Sequence, residues 1–121
     1  MRRKQVDINE LTVGQAKELA SLFGSKVSEN SWQPFIHGKS YLIRTVTHIA
    51  LGRVKAVGNQ EIVLEEASWI ADTDRFHDAL AKGIDSLSNS EIEPFVNDVI
   101  IGRGSVIDAT EYTHALPRKQ K

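Results

Sequence analysis

With 121 residues, 40% of them hydrophobic and 26% charged, the chain has the size and balance of one globular domain, not of a disordered or fibrous segment. Its 15 Lys and Arg stand against 16 Asp and Glu, and the net charge of −1 excludes the broad basic field that duplex-binding proteins carry. Cysteine is absent, which excludes disulfides, thiol catalysis and Cys-ligated zinc, and suits a reducing cytoplasm.

The opening MRRKQVDINEL is charged but has no apolar stretch of the secretory-signal kind. No apolar run reaches the roughly 20 residues that a membrane-spanning helix needs. The chain reads as a single domain, 1–121, with basic, flexible ends at 1–5 and 117–121. Thr12 and Gln15 form a capping box for a helix over Val13 to Phe23, with Val13, Ala16, Leu19, Ala20 and Phe23 on one stripe and Gly24 as its stop. Ser25 to Lys39 is a connector, in which Trp32 and Phe35 either pin the loop to the core or line a pocket.

Three strands follow, over Ser40–Ile49, Gly52–Val57 and Glu61–Ser68, with Gly58-Asn59 as a tight turn. In the third, Ile62, Leu64 and Glu66 alternate with Val63, Glu65 and Ala67. Apolar residues on both faces imply a sheet covered on two sides, or buried in an oligomer. A short helix over Thr73–Lys82 is capped by Asp72, has Asp74 at its positive end and Gly83 at its stop, and buries Phe76, Ala79 and Leu80. Ile84 to Pro94 is polar and irregular. Strands over Val99–Ile101 and Ser105–Thr113 flank Gly102-Arg103-Gly104, a hairpin turn that needs φ > 0. The sum is an α+β fold, a small antiparallel curled sheet or partly open barrel of about five strands with two short helices.

Few residues are arranged for chemistry. His37, His48, His77 and His114 lack metal-ligand spacing, and Asp72, Asp74, His77 and Asp78 form a solvated helix start. No nucleophile elbow or triad spacing is present, and Glu65 and Glu66, adjacent on a strand, point to opposite faces. What remains concerns anions. Arg44, His48, Arg53, Arg75 and Arg103 are spread over strands and turns, where a guanidinium fork suits phosphate. Arg44 and His48 share one face of the first strand with Leu42 and Val46, so the pair needs either a carboxylate such as Glu66 or a ligand.

The segments YLIRTVTHIALGRVKAVGNQEIVLEEASWIAD and VIIGRGSVIDATEYTHALPRKQK, with TVGQAKELASLFG before them, resemble a family of small uncharacterised phage and prophage proteins. Its motif is met here by Ile43, Arg44, Thr45, His48, Gly52 and Val54, then by Glu66, Ala67 and Trp69. More loosely, the layout is similar to phage anti-defence sponges, non-enzymatic oligomers that sequester nucleotide-derived immune signals in pockets with Arg and aromatic residues. That resemblance implies a ligand-binding protein of the host bacterial cytoplasm, a homo-oligomer without cofactor, metal or membrane segment. Arg44 and Arg103 then contact phosphate, Trp69 or Trp32 stacks, and Thr45, Thr47 and His48 supply hydrogen bonds. Two alternatives stay open: a phage structural or host-protein-binding role, and single-stranded nucleic-acid binding through a curled sheet with aromatics.

Overall fold

A computed structural model describes residues 2–9, 11, 12 and 33–121 of the chain. The chain falls into two compact units, residues 1–34 and 35–121. In the first, strands β1 (Arg2–Asn9) and β2 (Leu11–Thr12) form a two-stranded sheet, where the sequence predicts a flexible start. The helix expected over Val13–Phe23, its capping box and Trp32 lie outside the described residues.

The second unit is built on six strands: β3 (Ser40–Thr45), β4 (Ile49–Val57), β5 (Glu61–Asp72), β6 (Glu91–Pro94), β7 (Val99–Gly102) and β8 (Val106–Glu111). All pairings are antiparallel, in the order β6-β5-β4-β3-β8, with β7 also paired to β5. The expected curl follows from covalent reach. β7 and β8 are separated by β5, β4 and β3, which is four strand spacings or about 19 Å across a flat sheet. Yet Gly102 and Val106 are four residues apart, a span of at most about 14 Å fully extended. The sheet must therefore bend. The linking turn, Arg103–Ser105, is 3-10 helical and bonds to both hairpins, with the Arg103 N–H donating to Gln60 (2.9 Å) and the Val46 N–H donating to Ser105 (2.9 Å). It is a crossing between sheet edges and not a hairpin, and positive φ occurs at Gly38 and Gly83 but not at Gly102 or Gly104. No ladder joins β7 to β8 among the described residues, so the curled sheet stays open.

Both faces are covered by the unit's own residues, as the two-sided apolar pattern requires. One face buries Tyr41, Ile43, Val54, Ile62, Leu64 and Ile101, with Phe35 packed edge-on against Tyr41 at 5.2 Å. Tyr41 accepts the Ile36 N–H (2.9 Å), so Phe35 pins the connector. The other face buries Leu42, Leu51 and Ile70 under Ala79, Ile84, Ile92 and Tyr112.

Three boundaries differ from expectation, each for a local reason. β5 runs on through Trp69 to Asp72, because a bulge at Glu66 (φ 51°) resets its alternation. Helix α1 (Phe76–Lys82) starts three residues later than predicted, with Arg75 as an N-cap lacking a side-chain bond. Asp72 and Asp74 instead build the turn before it: Asp72 accepts the Asp74 N–H (2.8 Å), while Asp74 (φ 62°) accepts those of Arg75 (2.8 Å) and Asn89 (2.9 Å). The stretch read as irregular holds a 3-10 turn at Ile84–Ser86 and strand β6, whose single buried residue, Ile92, lies between exposed glutamates. The second unit thus holds one α-helix, as expected for that stretch, and six strands against the expected five or so, while the other expected helix lies outside the described residues. No helix among them is long and apolar enough to cross a membrane.

Candidate functional site

The site forms where β3 turns into β4. The run Thr45-Val46-Thr47-His48-Ile49 reads as a strand by propensity, but the Thr45 hydroxyl gives the backbone an alternative partner. Its Oγ1 donates to the His48 carbonyl (2.8 Å) and accepts the N–H groups of Thr47 (3.3 Å) and His48 (3.1 Å). The Thr45 N–H also donates to the His48 carbonyl (2.8 Å), which closes the turn. The chain therefore reverses at Val46–His48, and Arg44 and His48 do not share a face of one strand. Thr45 is buried and fully engaged, so its role is to shape the turn.

Next to this turn opens a cavity of about 560 Å³, lined by Arg44, Thr45, Val46, Thr47, His48, Ile49, Trp69, Ile70, Ala71 and Ile107. Antiparallel pairing of Ile49 with Ile70 and of Ala50 with Trp69 carries the end of β5 to the turn. Trp69 is 44% exposed. A smaller hollow beside it, about 310 Å³, is shared by Thr47, His48, Trp69 and Phe95. His48 Nδ1 lies 2.9 Å from Thr47 Oγ1 and 3.4 Å from Thr45 Oγ1, which fixes the ring and leaves Nε2 without a partner among the described residues.

Arg44 is held on two sides. Asp108 of β8, its register partner across the strand pair, takes Nε (2.8 Å) and Nη2 with its two carboxylate oxygens. The Phe76 ring lies 5.4 Å from the guanidinium carbon, in cation–π range. The hydrogen bonds raise the Arg44 pKa and hold the Asp108 carboxyl below its ordinary value, with the charge attraction adding to both. The carboxylate that answers Arg44 is thus Asp108 and not Glu66.

Glu66 belongs to a second cluster. The bulge turns it toward the side where Glu65 lies, and Arg53 binds both: Nε to Glu65 at 3.0 Å and Nη2 to Glu66 at 2.8 Å. The two glutamates therefore do not diverge as strict alternation predicts. Arg118 takes the other Glu66 oxygen (2.8 Å). The Glu66 bond, then the Glu65 bond, keep the Arg53 pKa above its usual value. Arg103 lies apart from the cavity, where its Nη1 donates to the Gly58 carbonyl (2.9 Å). Among the described residues no three His, Asp or Glu side chains are grouped to hold a metal.

The structure thus brings together Arg44, Thr45, Thr47, His48 and Trp69, and leaves Arg103 out. Sequence reasoning missed Asp108, Phe76, Phe95 and Ile107. An acid in an exposed alternating strand carries no signal of its partner when that partner lies 64 residues away. No protein-family model matches the chain, and no curated protein matches it.

Proposed function

We propose that this is a non-enzymatic binding protein that holds a small nucleotide-type ligand between Trp69 and the Thr45–His48 turn. The sequence resemblance adds a phage origin and a task, sequestration of a nucleotide-derived immune signal in the host bacterial cytoplasm. One observation carries the reading: five side chains from two segments far apart in sequence meet at one open cavity, and among them is a half-exposed indole. The volume falls within the roughly 300–1,000 Å³ usual for small-molecule sites. A ring on Trp69 would stack, while Thr47 Oγ1 and His48 Nε2 offer polar contacts to its edge.

Cyclic dinucleotides and cyclic ADP-ribose isomers, screened by thermal shift and calorimetry, test it. A ligand at ~100 times its Kd adds about 2.7 kcal/mol of stability. Trp69→Ala is expected to abolish that gain. Absence of stabilisation by every member of the panel would sink the reading.

A protein-binding role is favoured by a separate observation. Val46 and Ile107, 69% and 66% exposed, extend the apolar surface from the cavity, and Phe95 and Val96 continue it beyond Trp69. Recovery of one stoichiometric host partner, lost on Val46→Asp, is the outcome that would support it.

A further inference from the structure

Among the described residues the cavity has one arginine at its wall, Arg44, and that arginine is already answered. Asp108 occupies the Nε–Nη2 edge of Arg44 with both oxygens, and Phe76 covers the guanidinium. An arriving phosphate would meet a neutral pair with a carboxylate in the position that suits an anion best. The unspent recognition groups are of another kind, the half-exposed Trp69 and His48 Nε2, which has no partner among the described residues.

We propose that Asp108 is a specificity-determining residue that makes the site recognise a planar heteroaromatic ring first and a phosphate hardly at all. This rests on the nucleotide-type reading above and sharpens it. The ring of the ligand, not its charge, supplies the affinity, and Asp108 screens Arg44 from phosphate-bearing molecules that lack a fitting ring. Such a site tolerates ligands whose phosphates are internal diesters or point to solvent.

Calorimetric titration of wild type and Asp108→Asn with the four common ribonucleosides, their 5′-monophosphates and inorganic phosphate tests this at low salt. For wild type, the best nucleoside and its monophosphate are expected to bind within about twofold of each other, and inorganic phosphate not to bind. Asp108→Asn leaves the nucleoside unchanged and tightens the monophosphate about three- to fivefold, the modest factor expected for an exposed pair. That gain disappears in 1 M salt, where charges are screened beyond about 3 Å. It also disappears in the Arg44→Gln, Asp108→Asn double variant, and Asp108→Glu restores the wild-type ratio. A wild-type preference of tenfold or more for the monophosphate overturns the proposal, as does unchanged or weaker monophosphate binding by Asp108→Asn. If neither protein binds any nucleoside or nucleotide, the nucleotide-type reading itself falls. If both bind but without the Asp108 effect, that reading stands and the specificity role alone is lost.

Discussion

Tyr112 and Asp108 sit four residues apart in the same stretch of chain, yet a hydroxyl and a carboxylate there do opposite kinds of work. Asp108 is exposed and its pairing with Arg44 is open to solvent, so it contributes little to holding the fold. Tyr112 is 3% exposed, and its hydroxyl accepts the N–H of the fully buried Ile84 at 2.9 Å. Burial raises the Tyr112 pKa above its ordinary value of 10.0, against the opposing effect of the Ile84 hydrogen bond and with a smaller contribution from the charge of Asp85. A phenol with a raised folded pKa contributes stability that is fully present below the unfolded pKa and is lost as pH rises through the folded one. Tyr112→Phe orphans the Ile84 N–H, and about 1–3 kcal/mol should be lost at neutral pH. The variant should also lose less additional stability than wild type between pH 9 and about 11.5. Urea melts across that range check both, and equal alkaline slopes would show that Tyr112 does not contribute to them.

At the scale of one element, the bulge in β5 decides more than any side chain. Register runs from Leu51 opposite Ser68 to Arg53 opposite Glu65, so Gly52 faces two residues, Glu66 and Ala67. Before the bulge Ile62 and Leu64 face one core, and after it Ile70 faces the other. The same residue offset aligns Glu65 and Glu66 on Arg53 and sends Trp69 to the rim of the cavity. Gly52 permits it: a Cβ there would lie 2.9 Å from the Ala67 Cβ and 3.1 Å from the Leu64 Cβ. Gly52→Ala should therefore cost about 1–3 kcal/mol, and Ala67→Gly in the same chain should recover part of that loss. Strict additivity of the two substitutions in chemical melts would argue against the contact. The sequence shows where a strand is, through Ile62 and Leu64 or the Gly58-Asn59 turn, because those signals are local. A bulge is a single extra residue in an unbroken β-favouring run, and nothing in EIVLEEASWIAD marks which residue it is. The Thr45 turn was hidden likewise, since a threonine that satisfies backbone N–H groups looks like one that favours strands. The candidate site was legible as residue types around Arg44, but its charge balance depends on β8, and that pairing is set by the whole curl.

At the scale of the molecule, the curl leaves a sheet edge at β6, and the C-terminal residues close it. LPRKQK reads as a solvated basic tail because four of its six residues are polar or charged. Its first two are the anchor: Leu116 packs on the second core and Pro117 is buried. From there Arg118 reaches Glu66, Gln120 donates to both oxygens of Glu93 (3.1 and 3.2 Å), and Lys121 exchanges both backbone hydrogen bonds with Ile92 at 2.9 Å. Residues 117–121 thus lie along the outer edge of β6, where an open row of N–H and C=O groups would invite another strand. The Glu66–Arg118 contact links this strap to the bulge, but as an exposed ion pair it contributes little to stability. Truncation after Ala115 removes the Leu116 packing and the paired backbone bonds, and about 2–4 kcal/mol of stability should be lost. The bared β6 edge should also make the truncated chain associate with rising concentration, seen as a growing sedimentation coefficient. Arg118→Ala, which removes only an exposed ion pair, should leave both properties nearly unchanged. If the truncated protein melts like wild type and stays at the same size at every concentration, the strap neither anchors the fold nor guards its edge.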